Sequence, residues 1–306
     1  MRLASFVLLT FGVLTLQAGE KLEVASLSTI LTDIAQNVGG DKVTINAIIK
    51  ADVDPHDFTP STSDVKAISQ AKVVLLSGNG MEAGYLAKLE KSVGPGPVFV
   101  PIGQSIKPIL IDPAAGHDHD HGHSHAHPAA GAGGKIPDPH WWHSIKNVAT
   151  ATAAVRDAFI QADPANKAAY EANARAYEKK LSDLEKWARL EIARLPRNQR
   201  ILVTSHDAFG YFARDYGFTV YPVKGISTKD QPSSKKVRET IDAIKKKGVK
   251  SVFFENIENP KVLTEITRET GAKTGGVLYA EGPGKGAETY EKMIKHNYSV
   301  IVSGLE

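Results

Sequence analysis

The sequence predicts an α/β protein of two lobes, each a mostly parallel sheet flanked by helices, joined by one long rigid helix. Three observations carry this. Strand-like and helix-like runs alternate from Lys21 to Val100, and the alternation resumes from Arg200 to Val302. Such alternation argues for parallel strands with helices as crossovers. Between the two sets, Asn166–Leu195 carries apolar residues at Tyr170, Ala174, Tyr177, Leu181, Leu184, Ala188 and Ile192, in steps of three and four. About 30 residues at about 1.5 Å each make a rod of about 45 Å, longer than one small domain needs. The bounds that follow are a lobe at 19–163, a linking helix at 164–196 and a lobe at 197–306.

The elements follow in order. Residues 1–18, MRLASFVLLTFGVLTLQA, open on Arg2, run uncharged from Leu3 to Leu16 and reach the small Ala18. That is the layout of a secretory signal peptide, and the run is short for a spanning helix of about 20 residues. Leu22–Ser26 reads as a strand, and Ser28–Val38 as a helix stopped by Gly39-Gly40. Val43–Ile49 is a second strand. Ser61 with Asp64 forms a capping box ahead of Val65–Ala71. Lys72–Leu76 is a third strand, Met81–Ser92 a helix and Val98–Val100 a fourth strand. Beyond the linking helix, which Pro196 ends, come strands at Arg200–Thr204, Val249–Phe254, Gly276–Tyr279 and Tyr298–Val302. Helices are read at Asp207–Tyr216, Pro260–Thr270 and Glu288–Lys295.

Composition excludes several classes. In 306 residues, 42% hydrophobic and 23% charged side chains rule out wholesale disorder and a fibrous fold. A net charge of +3, from 37 basic and 34 acidic residues, is too balanced for a nucleic-acid surface. With no cysteine, disulfides, thiolate metal sites, cysteine catalysis and cysteine lipidation are all excluded. A signal peptide without a lipid-bearing cysteine leads to the expectation of a periplasmic protein with no lipid anchor.

Six of the eleven histidines lie between His117 and His127, in GHDHDHGHSHAHPAAGAGG at 116–134. This segment has no periodicity and no large apolar side chain, so it reads as a disordered loop. Of the other five, His56, His140 and His206 each sit where a strand has just ended, in DPHDFTPS, DPHWWHS and TSHDAFGYF. In open α/β sheets, ligand sites collect at the carboxyl ends of strands. Asp-Pro-His occurs twice, at 54–56 and 138–140. Proline stiffens the approach, and the aspartate is placed to accept an imidazole N–H and orient the ring. Three neutral imidazoles and one oxygen make a tetrahedral site suited to Zn²⁺. The oxygen is open between Glu281 in LYAEGPG, Glu255 in VFFEN and water. His143 reads as a supporting or surface residue, and His296 as surface.

At this point a resemblance appears. DPHDFTPS, NGMEAGYLAKL, DPHWWHS, the helix with Tyr170, Asn173 and Tyr177, SHDAFGYFARDYGF and LYAEGPGKGAETYEKM resemble the metal-specific substrate-binding proteins of ABC importers, over nearly all of the mature chain. The resemblance implies two lobes bridged by a rigid helix, one metal buried between them, and a membrane permease as partner. It implies His56, His140, His206 and Glu281 as ligands, Glu281 standing where the family often has Asp. A histidine at the third position, and the His-Asp-His-Asp-His run, resemble zinc members; a glutamate there resembles manganese members.

The histidines of the loop, His117, His119, His121, His123, His125 and His127, are read in two ways. Either they bind zinc weakly, collecting it or taking it from a periplasmic donor protein, or the loop is a dispensable tether. The chain is expected to be a monomer with no nucleic-acid partner and no enzymatic activity. A manganese carrier of the same family is the alternative. A zinc hydrolase is less favoured: H-E-x-x-H is absent and no general base stands beside a ligand histidine.

Overall fold

The computed structural model describes residues 20–112 and 134–306. The signal peptide expected at 1–18 and the histidines from His117 to His127 lie outside the described residues.

The first half is a four-stranded parallel sheet in the order β2-β1-β3-β4, from Leu22–Ser26 (β1), Val43–Ala47 (β2), Val73–Leu76 (β3) and Val98–Pro101 (β4). Three helices connect them. Thr29–Gly39 (α1) is capped by Ser28, whose hydroxyl accepts the N–H of Ile30. Thr62–Ser69 (α2) starts with the expected capping box of Ser61 and Asp64. Leu86–Val93 (α3) is shorter than the predicted Met81–Ser92. Residues 81–85 form turns instead, because the Glu82 carboxylate folds back onto the backbone N–H groups of Ser77 and Gly78. Leu110–Ile111 (β5) and Ile136–Pro137 (β6) then pair antiparallel.

Two helices separate the halves. Ile145–Ala162 (α4) was not anticipated; its buried residues include Ala151 and Thr152, small side chains that blur an apolar stripe. Lys167–Ala193 (α5) is the long helix, about 40 Å in length. All seven of its predicted apolar positions are buried. It packs on α1, on α4 and on the last helix of the chain. Its hydroxyls anchor it at the first half, where Tyr177 donates to Asp33 at 2.8 Å and Tyr170 to Asp163 at 2.7 Å. Towards its other end, Glu185 accepts the hydroxyl of Tyr216 at 2.7 Å.

The second half holds two parallel pairs, Ile201–Thr204 (β7) with Thr219–Pro222 (β8), and Ser251–Glu255 (β9) with Lys273–Leu278 (β10). Its helices are Gly210–Tyr216 (α6), Ser234–Lys247 (α7), Lys261–Thr270 (α8) and Tyr290–Leu305 (α9). The predicted strand Tyr298–Val302 is instead the last part of α9. Tyr290, Met293, Ile294, Asn297, Tyr298, Ile301, Val302 and Leu305 are all buried. That helical spacing outweighs the strand preference of Val300, Ile301 and Val302. One continuous apolar core runs from Val24 of β1 through Trp141 and the α5 stripe to Phe212 and Tyr298. The two halves therefore share their packing.

Candidate metal centre

Four side chains far apart in sequence meet between the halves. His56 comes from the loop after β2, His140 from the segment after β6, His206 from two residues past β7, and Glu281 from three past β10. One atom of each lies within 4.8 Å of all the others. The His140 Nε2 is 3.2 Å from that of His56 and 3.4 Å from that of His206. The Glu281 Oε1 stands 2.9 Å from His206, 3.4 Å from His140 and 3.6 Å from His56. A tetrahedron with bonds of about 2.1 Å has edges of about 3.4 Å. The four atoms thus surround a point where one cation fits.

Burial sharpens this. The side chains of His140 and His206 are fully buried, while His56 and Glu281 are 7% and 4% exposed. Neither oxygen of Glu281 accepts a directed hydrogen bond. A buried carboxylate left so is costly unless a cation or proton faces it. Burial alone would raise its pKa, but the imidazoles of His140 and His56 hold it well below the usual range.

Supporting groups orient the rings. His140 Nδ1 donates to Asp138 Oδ1 at 2.9 Å, and His206 Nδ1 to Glu255 Oε2 at 2.5 Å. Each ring thereby turns its Nε2 to the centre. Burial would lower both pKa values, yet the carboxylates outweigh it. Glu281 and Asp138 raise His140 to about 9, and Glu255 and Glu281 raise His206 well above its ordinary value. Glu255 also accepts the backbone N–H groups of Ser205 and His206. Of the two glutamates weighed from sequence, Glu281 faces the other histidines and Glu255 sits behind His206.

Both Asp-Pro-His segments make the same turn, the histidine N–H donating to Oδ1 of its own aspartate at 2.8 Å. They differ in the ring. Asp138 also takes the imidazole, whereas Asp54 gives its other oxygen to Thr228 at 2.6 Å. Gly210 is required beside this arrangement: a Cβ there would meet Asp138 Oδ2 at 2.8 Å.

His143 is fully buried, which rules out the surface alternative. Its Nε2–H donates to Ala280 O at 2.8 Å, where Trp142 Nε1–H also donates at 2.9 Å. Burial pushes its pKa down to about 3. His296 lies on α9 and donates to Val277 O. Thr228 escaped sequence reasoning altogether, since a lone threonine in a polar loop carries no periodic or motif signal.

Comparisons with known proteins give a family and a fold. A family model described as "Zinc-uptake complex component A periplasmic" matches residues 24–304. The "Manganese-binding lipoprotein MntA" of Bacillus subtilis (strain 168) is 32% identical over 299 residues, covering 94% of this chain and 91% of the relative. The "Iron-binding protein YfeA" of Yersinia pestis is 31% identical, covering 93% and 86%. The solved structure of the periplasmic zinc-binding protein TroA from Treponema pallidum shares the fold, with a TM-score of 0.82, 24% identity, and coverage of 94% and 99%.

These findings correct one expectation. The absence of a lipid anchor was inferred from the lack of cysteine, yet the Bacillus subtilis relative is named a lipoprotein. A missing residue type speaks to one attachment chemistry only, so that inference does not hold; a place outside the cytoplasm stands. With a family model spanning nearly the whole chain, a shared fold and a buried cation-sized cluster, the chain belongs to the ZnuA family of periplasmic metal-binding substrate-binding proteins of ABC transporters, which work with a membrane permease and an ATPase.

Proposed function

We propose that this protein captures Zn²⁺ at His56, His140, His206 and Glu281 and delivers it to the permease, as a binder and not an enzyme. The observation that carries the reading is the donor set: three imidazole nitrogens and one carboxylate oxygen at tetrahedral spacing. Imidazole suits zinc, whereas manganese prefers more oxygen ligands. The test is metal content of the purified protein with titration calorimetry of the parent and of alanine variants at 56, 140, 206 and 281. A tightly held zinc, lost in each variant, supports the reading. Parent-like affinity in the His140→Ala and His206→Ala variants would sink it.

A manganese carrier is the second reading, because the Bacillus subtilis relative is named manganese-binding. Competition between Zn²⁺ and Mn²⁺ on the metal-free protein separates the two. The histidines at 117–127 we read as a weak zinc-collecting segment, supplied directly or by a donor protein. Deletion of 117–127 tests this: capture from a donor at low zinc falls if the segment collects and is unchanged if it is a tether.

A further inference from the structure

The loop 50–57 belongs to the first half, yet its carboxylates reach into the second. Asp52, at φ 61°, accepts the side-chain amide of Asn256 at 2.8 Å and the backbone N–H of Lys285 at 3.2 Å. Aspartate tolerates this left-handed conformation better than most residues. Asp57 pairs with Lys229 at 2.8 Å, but both are exposed, and such pairs contribute little. Asp54 is the informative one. Its Oδ1 accepts the N–H of His56 at 2.8 Å, and its Oδ2 accepts the hydroxyl of Thr228 at 2.6 Å.

Thr228 is itself held firmly. It is buried, and its carbonyl accepts Lys224 Nζ at 2.8 Å. The same ammonium pairs with Glu258 at 2.6 Å. The Lys224 N–H donates to Ser205 O, and the Asp207 N–H to Gly225 O. These bonds tie the Thr228 loop to both flanks of His206. A continuous chain of hydrogen bonds therefore runs from the backbone of His56, in one half, to the neighbours of His206, in the other.

His56 needs such a chain. The rings of His140 and His206 are each pinned by a carboxylate on Nδ1. Among the described residues, no carboxylate does this for His56. It sits on a stretch with no strand or helix between β2 and α2, so the position of its ring follows the position of its loop. We propose that Asp54 and Thr228 form a latch between the halves, with Thr228 a positioning residue that holds His56 from the opposite lobe and so sets the rate of metal release. This rests on the reading of His56 as a ligand. Any movement that draws the 224–230 loop from the 50–57 loop breaks the latch and loosens one ligand first.

The test compares Thr228→Val, which keeps the shape and removes the hydroxyl, with Thr228→Ser, which keeps the hydroxyl. Zinc release into a chelator and zinc association are followed by stopped flow, with hydrogen exchange at 50–57 and melting of the metal-free protein. The latch predicts release about 10-fold to 100-fold faster in Thr228→Val, near-parent release in Thr228→Ser, little change in association, and faster exchange at 50–57. Parent-like release in Thr228→Val overturns it, as does equally fast release in Thr228→Ser. His56→Ala tells the two readings apart. Parent-like affinity there removes His56 as a ligand and the latch with it; weak binding there with parent-like release in Thr228→Val removes the latch alone.

Discussion

His143 donates its Nε2–H to the carbonyl of Ala280 at 2.8 Å. A residue three past one candidate ligand thereby holds the peptide immediately before another, Glu281. The ring also lies 4.4 Å from that of Phe209, between centroids, so it is clamped by packing as well. Replacing it by Phe keeps the packing and leaves Ala280 O with only Trp142. His143→Phe is expected to weaken metal binding about 10-fold or more, with the fold intact. Calorimetry beside a near-ultraviolet spectrum checks both halves of that statement.

Asp138 and Glu255 work behind the rings of His140 and His206. Asp138→Asn and Glu255→Gln keep the volume but remove the negative charge that draws the Nδ1–H. Each is expected to cost about 10-fold to 100-fold in affinity. Loss smaller than that of removing Glu281 is the expected rank. If either equalled the Glu281→Ala loss, the division between ligands and supporting groups would be wrong.

Large hinge opening is not expected. The core is continuous from Val24 to Tyr298, and α5 is fastened to both halves. Separating the halves would expose that shared apolar surface at roughly 25 cal/mol per Å². Solution scattering with and without zinc should therefore change the radius of gyration by under about 1 Å, against about 19 Å for a chain of this length. Hydrogen exchange should change instead in loops such as 50–57. A compaction of several ångströms would contradict the shared core as a restraint.

Glu82 gives a pH dependence separate from the metal. Burial raises its carboxyl from 4.5 to about 7, although Ser77 and Gly78 donate N–H groups to it. The unfolded chain releases this proton near 4.5, the folded chain only near 7. Its contribution to stability is whole below the lower value and is lost as pH rises through the upper one, by roughly 3 kcal/mol. Denaturation of the metal-free protein from pH 5 to pH 8 should show this decline. Glu82→Gln should flatten it; equal slopes would clear Glu82 of any part in it.

Much of the architecture was legible along the chain. The α5 stripe, the Ser61–Asp64 box and the strands β1 and β3 follow from periodicity and capping, which are local. What failed also had local causes. The buried Ala and Thr of α4 hid its face, and α7 was passed over because its few apolar residues, Val237, Ile241 and Ile244, stand among eight charged ones. The β-branched run ending α9 looked like a strand until its burial pattern decided otherwise.

For the site, the sequence by itself determined the chemistry: which side chains carry nitrogen and oxygen donors, and that three of them follow strands. It could not choose between Glu281 and Glu255, since both are acids just past a strand. Tertiary structure set Glu281 before the imidazoles and Glu255 behind one of them. It also decided that Asp54 answers to Thr228, 174 residues away. Spacing along a chain encodes periodic, short-range preferences. Convergence of distant loops is set by how two sheets and the shared helices pack, and that is a property of the whole core.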